Sequence, residues 1–410
     1  MAMQSTPRLL ILENASVYAP EPLGLCSVVI AGGRILAIAP ASDAGCLTAS
    51  SDSAFGLPTG LPIERFDCGG QRLTPGFIDA HAHITGGGGE DGASTKVPPP
   101  WFSDFTTAGV TSVVGLLGTD DVTRTTAELL AGVRALKEMG LSAWCWTGGY
   151  HLPPTTLTGT IRGDIVHLDA VIGAGEIAIS DHRSSQLTLE DMLRIAGDCH
   201  VGGMLSRKAG VMHLHLGDGS RGLELIRAAL DSAEIPARVF QPTHVNRRRA
   251  LLDEAFALAE RGCHIDITAF PVADDEDAYS AEVALQRYLA AGLPPANISV
   301  SSDGGGCLPE FDEHGKMTSM SVGRSHSLHQ MLARAVALGV PFEFALSAIT
   351  SNVAEHLRLA GKGRIRPGFA ADLLLLDEAG EVDCVIADGE WLVKGKEALR
   401  LGVFEPEPSR

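Results

Sequence analysis

The chain has 410 residues, 45% of them hydrophobic and 20% charged, with 47 glycines, 22 prolines and a formal charge of -18. So much negative charge repels phosphate backbones and anionic lipid surfaces, which excludes nucleic acid and membrane partners and leaves any acidic small ligand to local arginines. No apolar run approaches the ~20 residues of a spanning helix, and the eight cysteines lack CxxC or CxxH spacing, so a disulfide framework and a zinc knuckle are excluded. A cytoplasmic protein with reduced, mostly buried thiols is expected.

From the N-terminus, apolar runs at 9–12, 27–30 and 35–39 read as strands, the last two joined by a Gly32-Gly33 turn. A loop rich in Ala, Ser and Gly follows over 41–60, then a turn at Gly69-Gly70. Between 73 and 359 apolar strands alternate with amphipathic helices. Strand candidates lie at 77–80, 110–115, 142–147, 176–180, 211–215, 239–243, 264–268 and 298–302. A helix over 126–139, closed by Gly140, aligns Leu129, Val133 and Leu136; another over 250–261, closed by Gly262, aligns Leu252, Phe256 and Ala259. Eight strands in a region of this length predict a (β/α)8 barrel. Strands return at 372–376, 382–387 and 390–393, the last two joined by an Asp388-Gly389 hairpin turn. The predicted fold class is α/β: a TIM-like barrel over 73–360 with a small β-sandwich domain built from 1–72 and 361–410.

The chemistry is densest in 74–92, TPGFIDAHAHITGGGGEDG. His81 and His83 end a strand two residues apart, so alternation turns both imidazoles to one face, where they can grip one metal. Glu176, His215, His244 and Asp303 follow at separations that match whole strand–helix units, on strands four, five, six and eight of the predicted barrel. All would then meet at one mouth, where barrel active sites lie. His213 shares the face of His215 in HLHLGD, but a ligand belongs at the strand's end, which favours His215. Taken singly, His244 in PTHVNR also reads as a core or capping histidine and Asp303 in SSDGGG as a turn residue; the joint spacing favours a common site. Four imidazoles and two carboxylates suit a pair of zinc-like divalent ions sharing a hydroxide.

GFIDAHAHI, the later histidines, SSDG and the closing GKGRIRPGFAADLLLL with its Gly389 hairpin resemble the amidohydrolase superfamily. Within it, HITGGGGEDG, VVGLLGTD, TGGYH, ISDHRS, HLGD, PTHVNR and LSAITS resemble the bacterial isoaspartyl dipeptidases, over nearly the whole chain. These are metal-dependent hydrolases of the β-linked aspartyl peptides that form when asparagine or aspartate rearranges. The resemblance implies that His81 and His83 hold one metal with Asp303, and that His215 and His244 hold the other. Glu90 would meet the substrate's free α-amino group, beside glycines, Gly88 among them, that let backbone approach the ligand. Thr119 would assist binding. Tyr150 would donate to the carbonyl oxygen as it becomes anionic, and Arg183 and Arg247 would bind substrate carboxylates. Asp303 would accept the proton of the metal-bridged hydroxide and pass it to the leaving amine. A symmetric homo-oligomer is also implied, with an octamer as the candidate size.

Two residues depart from the family pattern. Where these dipeptidases carry a lysine modified by carbon dioxide into a bridging carbamate, GAGEIAIS supplies Glu176, which has the same charge and two oxygens on a shorter arm; a one-metal site is the alternative. Cys307 stands where the family has a serine near the substrate, and a thiol hydrogen-bonds more weakly. The expectation is hydrolysis of β-aspartyl dipeptides. The alternatives are an amidohydrolase of other specificity, such as an N-acyl amino acid deacylase or a cyclic amide hydrolase, and a non-catalytic oligomeric relative.

Overall fold

A computed structural model describes residues 9–40, 62–273, 275–311 and 317–406; the loop expected over 41–60 lies outside the described residues. The chain opens with β1 (Leu9–Tyr18), β2 (Pro22–Ala31), β3 (Arg34–Pro40), β4 (Ile63–Asp67) and β5 (Arg72–Pro75). The eight central strands are β6 (Phe77–Ala82), β7 (Val110–Gly115), β8 (Ser142–Thr147), β9 (Val171–Ile179), β10 (Val211–Leu216), β11 (Phe240–Thr243), β12 (Ile265–Thr268) and β13 (Ile298–Ser301). A hairpin of β14 (Cys307–Phe311) and β15 (Met317–Val322) follows, and the chain ends in β16 (Leu373–Leu376), β17 (Val382–Ala387), β18 (Glu390–Lys394) and β19 (Glu397–Ala398).

β6 to β11 pair side by side in chain order as a parallel sheet, and β12 pairs in parallel with β13. Every residue of β6, β7, β9, β10 and β11 is buried, as parallel strands covered on both faces require. The two gaps between these sheets are bridged largely by side chains. Asp79 accepts from the Ser302 amide at 3.1 Å and from the Ser302 hydroxyl, and His83 N donates to Gly304 O at 2.7 Å. Across the other gap, Thr243 donates to Asp266 at 2.7 Å, while Asn246 accepts from Thr268 N at 2.9 Å and donates to Thr268 O at 3.0 Å. The result is the (β/α)8 barrel that the pattern predicts.

The strands differ from expectation in places that have local reasons. The fourth barrel strand begins at Val171 rather than 176, because Gly173 and Gly175 dilute its apolar signal. A side chain at Gly173 would run into Val211 O at 2.2 Å, so glycine there permits close approach of the neighbouring strand. The first strand continues past Leu12 to Tyr18 through an irregularity at Asn14, whose φ is 54°; asparagine tolerates that conformation better than most residues. His264 precedes β12 instead of opening it.

The helices bury the faces their periodicity marked. Thr126–Glu138 is capped by the Thr125 hydroxyl, buries Leu129, Val133 and Leu136, and ends before Gly140 at φ 107°. Arg249–Glu260 buries Leu252 and Ala259, with Phe256 packed partly against the same core.

Both ends of the chain share a nine-stranded sheet. Its order is β19-β18-β17-β16-β5-β1-β2-β3, with β4 also pairing β1, and the seam between the halves is β5 against β16, from Leu373 opposite Pro75 to Leu376 opposite Arg72. Both hairpin turns have two residues at positive φ, Gly32 and Gly33 at 55° and 73°, Asp388 and Gly389 at 48° and 78°, the twist that two-residue hairpins favour. Leu10, Leu12, Val28, Ile30, Leu373 and Leu375 form this layer's own core, whereas Leu374, Leu376 and Val385 join the barrel's. Alternation along β16 therefore ties the layer to the barrel. Among the described residues no helix is long and apolar enough to cross a membrane, and seven cysteines are free, all buried except the half-buried Cys307.

Candidate metal centre and active site

At the C-terminal mouth of the barrel six side chains from five strand ends converge. His81 ends β6 and His83 follows it; their Nε2 atoms lie 3.4 Å and 3.2 Å from Asp303 Oδ1. Glu176, inside β9 and 1% exposed, turns its two oxygens to different partners. Oε1 lies 2.5 Å from His215 Nδ1 and 3.1 Å from His244 Nε2, while Oε2 faces His83 Nε2 at 3.9 Å. His81, His83 and Asp303 form one cluster of donor atoms with room for a cation, and His81, Glu176 and His244 form a second. His81 thus belongs to both, and His215 joins through Glu176.

These donors satisfy one another only in part. His81 Nε2, Glu176 Oε2 and Asp303 Oδ1 are buried without a hydrogen-bond partner, and buried polar atoms are seldom left so. A divalent ion would answer them, and imidazole nitrogen with carboxylate oxygen is the donor set that zinc accepts. The residues therefore fit the group. The electrostatics agree in sign. Burial opposes charge on Glu176, but His81 and His215 outweigh it and hold the carboxyl well below its ordinary range. Burial likewise opposes a charged His81, and Glu176 and Asp303 push it up to about 9, so the site's carboxylates favour positive charge at its centre.

Supporting residues set these ligands. His213 lies one step inside the barrel from His215, is stacked on Trp146 with ring centroids 5.1 Å apart, and meets His81 Nδ1 through its Nε2 at 2.8 Å. Thr268 Oγ1 sits 2.7 Å from His244 Nδ1. Asp79, pushed up to about 6 by burial, braces the Ser302 turn that precedes Asp303. Sequence reading passed over Asp79, Asp266 and Asp181. The signal for Asp181 was its place in ISDHRS, two residues before Arg183; the other two carried none beyond a carboxylate inside an apolar strand.

Around the cluster lie the candidate substrate residues. The Tyr150 hydroxyl is 2.8 Å from His215 Nδ1, and burial with Glu176 nearby pushes its phenol well above the ordinary value. Glu90 accepts from Thr119 at 3.0 Å and from Arg183 Nη1 at 3.2 Å. Arg183 lies over the Tyr150 ring and pairs with Asp181. Cys307 is pushed up to about 11 by burial and by Glu90 and Asp303, so its thiol faces the same charges. Gly88 sits at φ 72° where a side chain would meet Thr95 O at 2.6 Å, and glycine alone suits both. A cavity of about 410 Å³ opens here, with Gly88, Glu90, Lys96, Thr119 and Asp120 in its wall. Arg247 stands apart from this network: its guanidinium donates to Leu216 O at 2.6 Å and pairs with Asp218 at 3.0 Å.

Residues 72–392 match the model of the amidohydrolase family. The beta-aspartyl dipeptidase of Fervidobacterium islandicum AW-1, solved in complex with beta-Asp-Leu dipeptide, is 39% identical with a TM-score of 0.87, covering 97% of this chain and 100% of that one. A second structure of that dipeptidase is 38% identical, with a TM-score of 0.86 and the same coverage. Among curated proteins, the adenine deaminase of Halalkalibacterium halodurans is 25% identical over 91% of this chain and 56% of its own length. Adenine deaminase 2 of Carboxydothermus hydrogenoformans is 23% identical over 82% of this chain and 52% of its own length. The chain spans about half the length of these curated relatives. It belongs to the amidohydrolase family, and along its length it is similar to beta-aspartyl dipeptidase structures.

Proposed function

We propose that the chain is a binuclear metal-dependent dipeptidase that hydrolyses the side-chain amide of β-aspartyl dipeptides. The observation that supports this most is the Glu90–Arg183 pair, 3.2 Å apart, with Arg183 Nη2 3.3 Å from His215 Nε2. A β-aspartyl residue keeps its α-ammonium and α-carboxylate free, one group of each charge on the same α-carbon. Such a ligand exchanges with the pair, ammonium to Glu90 and carboxylate to Arg183, without leaving either charge unanswered. The full-length likeness to a dipeptidase solved with beta-Asp-Leu points the same way.

His81, His83 and Asp303 would hold one divalent ion and His215 and His244 the other, with Glu176 between them and zinc as the metal suited to these donors. When bound, the ions supply an ionised water near neutral pH and draw charge from the carbonyl. The residues do the rest. Asp303 stays a carboxylate because His81 and His83 outweigh the burial that opposes its charge, so it accepts the proton of the attacking water and hands it to the leaving amine. Tyr150 remains protonated and donates to the carbonyl oxygen as negative charge develops there. Assembly as a homo-oligomer belongs to the same reading.

The curated likeness to adenine deaminases favours a second reading, attack on a purine. Adenine has neither an ammonium nor a carboxylate, so Glu90 and Arg183 would gain nothing from it. Assaying zinc-loaded protein with β-Asp-Leu, α-Asp-Leu and adenine separates the two. Turnover of β-Asp-Leu at least ~100-fold above the others is expected; preferential release of ammonia from adenine refutes the dipeptidase reading.

A further inference from the structure

Asp181 is 6% exposed and follows β9 directly, after Ser180 at φ 51°. Its Oδ1 accepts from Arg183 Nε at 3.0 Å and from Arg183 N at 2.8 Å. Its Oδ2 accepts from Arg183 Nη2 at 2.7 Å and lies 3.0 Å from His215 Nε2. One buried carboxylate therefore holds a guanidinium fork and an imidazole at once.

Each contact has a directional consequence. A proton on His215 Nε2, donated to Asp181, leaves the Nδ1 lone pair on the side of Glu176 Oε1 at 2.5 Å and the Tyr150 hydroxyl at 2.8 Å, where a cation would sit. With Nε and Nη2 of Arg183 engaged by Asp181, Nη1 remains for Glu90 and for a ligand carboxylate. The approach itself is built by glycine. A side chain at Gly217, two residues past His215, would lie 2.4 Å from Asp181 Cβ and 2.5 Å from Oδ2, and one at Gly219 would lie 2.5 Å from Ser180 O. The loops after β9 and β10 close on each other only because both positions lack a side chain.

We propose that Asp181 is a positioning residue that fixes the metal-facing nitrogen of His215 and the substrate-facing nitrogen of Arg183 together, so that metal affinity and substrate affinity depend on one carboxylate. The metal half stands on the geometry alone, whereas the substrate half rests on the dipeptidase reading. In Asp181→Asn the amide oxygen can keep Arg183 N and Nε, but the amide nitrogen then faces Arg183 Nη2 and His215 Nε2, so the imidazole loses its acceptor and the guanidinium fork loses one of its two bonds.

The experiment titrates metal-free protein with zinc against a chromophoric chelator and measures KM and kcat for β-Asp-Leu in four proteins: wild type, Asp181→Asn, Arg183→Met and the double variant. Asp181→Asn is expected to weaken zinc binding about 10- to 100-fold, the range for partners of metal-bound histidine, and to raise KM about ten-fold. Arg183→Met raises KM without weakening zinc binding. The double variant has the KM of Arg183→Met and the zinc affinity of Asp181→Asn, a pattern that a general loss of stability does not produce. Wild-type zinc affinity in Asp181→Asn, KM effects that add in full, or a wild type that binds no zinc would overturn the proposal. Should Asp181→Asn fail to fold, Asp181→Glu, which keeps the charge but shifts it by a methylene, gives smaller losses in both readouts; no loss in either overturns it equally. The zinc titration uses no substrate, so a wild type that binds zinc yet leaves β-Asp-Leu intact refutes the dipeptidase reading and the substrate half with it, while the zinc affinity of Asp181→Asn against wild type still upholds or overturns the metal half.

Discussion

His244 and Asp303 show how much this site asks of single residues. Both stand at positive φ, 61° and 52°, without being glycine, a conformation that costs on the order of 1–3 kcal/mol at each. Each lies just past the end of a barrel strand, and the left-handed turn aims its side chain back across the mouth. The candidate donors and their spacing were legible in the sequence because residue types able to hold a metal are few and strand ends recur at regular intervals. Asp181 and His213 were harder to read. Their roles depend on which neighbour they face, which is set by Gly217 and by the stacking of Trp146 rather than by any local pattern. At this scale the mechanism makes Asp303 the carrier of the proton. Asp303→Asn is expected to lower kcat by ~100-fold or more, measured together with metal content; near-normal kcat in a variant that still holds metal would remove Asp303 from the chemistry.

Among the elements, the two helices read from the sequence, 126–139 and 250–261, come within one residue of their ends at Thr126–Glu138 and Arg249–Glu260, since a closing glycine follows each and burial repeats every three to four residues. Barrel strands were found by their continuous apolar runs, but not their limits: Gly173 and Gly175 in β9 look like loop and are strand. The hairpin of β14 and β15 and the short β4 and β5 escaped notice, because none has an alternating apolar run long enough to stand out. The helix Arg249–Glu260 offers a test of the packing. Leu252 is fully buried beside Ala255 and Ala259, so Leu252→Ala should leave a cavity and cost about 2–5 kcal/mol. A lowered Tm with kcat/KM within about two-fold of wild type is the expected outcome; an unchanged Tm would mean that the face is not packed as described.

Over the whole molecule, the barrel carries the site and the layer built from both chain ends braces the barrel's outer wall. That both ends would meet could be read from two stretches of like texture flanking an α/β middle. Their seam, β5 against β16, could not, because pairing across 300 residues leaves no periodic trace in sequence. Glu176 also acts at this scale, since its strand is held between β8 and β10 and its charge is part of the polypeptide. A carboxylate that needs no carbon dioxide should let metal-free protein regain two zinc ions per chain and full activity in carbonate-depleted buffer. Glu176→Ala should bind fewer ions and lose most activity, because two cations would then face each other without the charge between them; a fully active, two-metal Glu176→Ala protein would place the bridge elsewhere.

The claim on which the rest depends is that the pocket beside the metal centre recognises a free β-aspartyl residue through Glu90. Comparing kcat/KM for β-Asp-Leu and its N-acetylated form on the same zinc-loaded protein tests it most directly. Acetylation removes the ammonium that Glu90 would pair with while leaving the scissile amide intact, so the acetylated compound should be cleaved at least ~100-fold less efficiently. Equal turnover of the two would contradict the account and favour a deacylase.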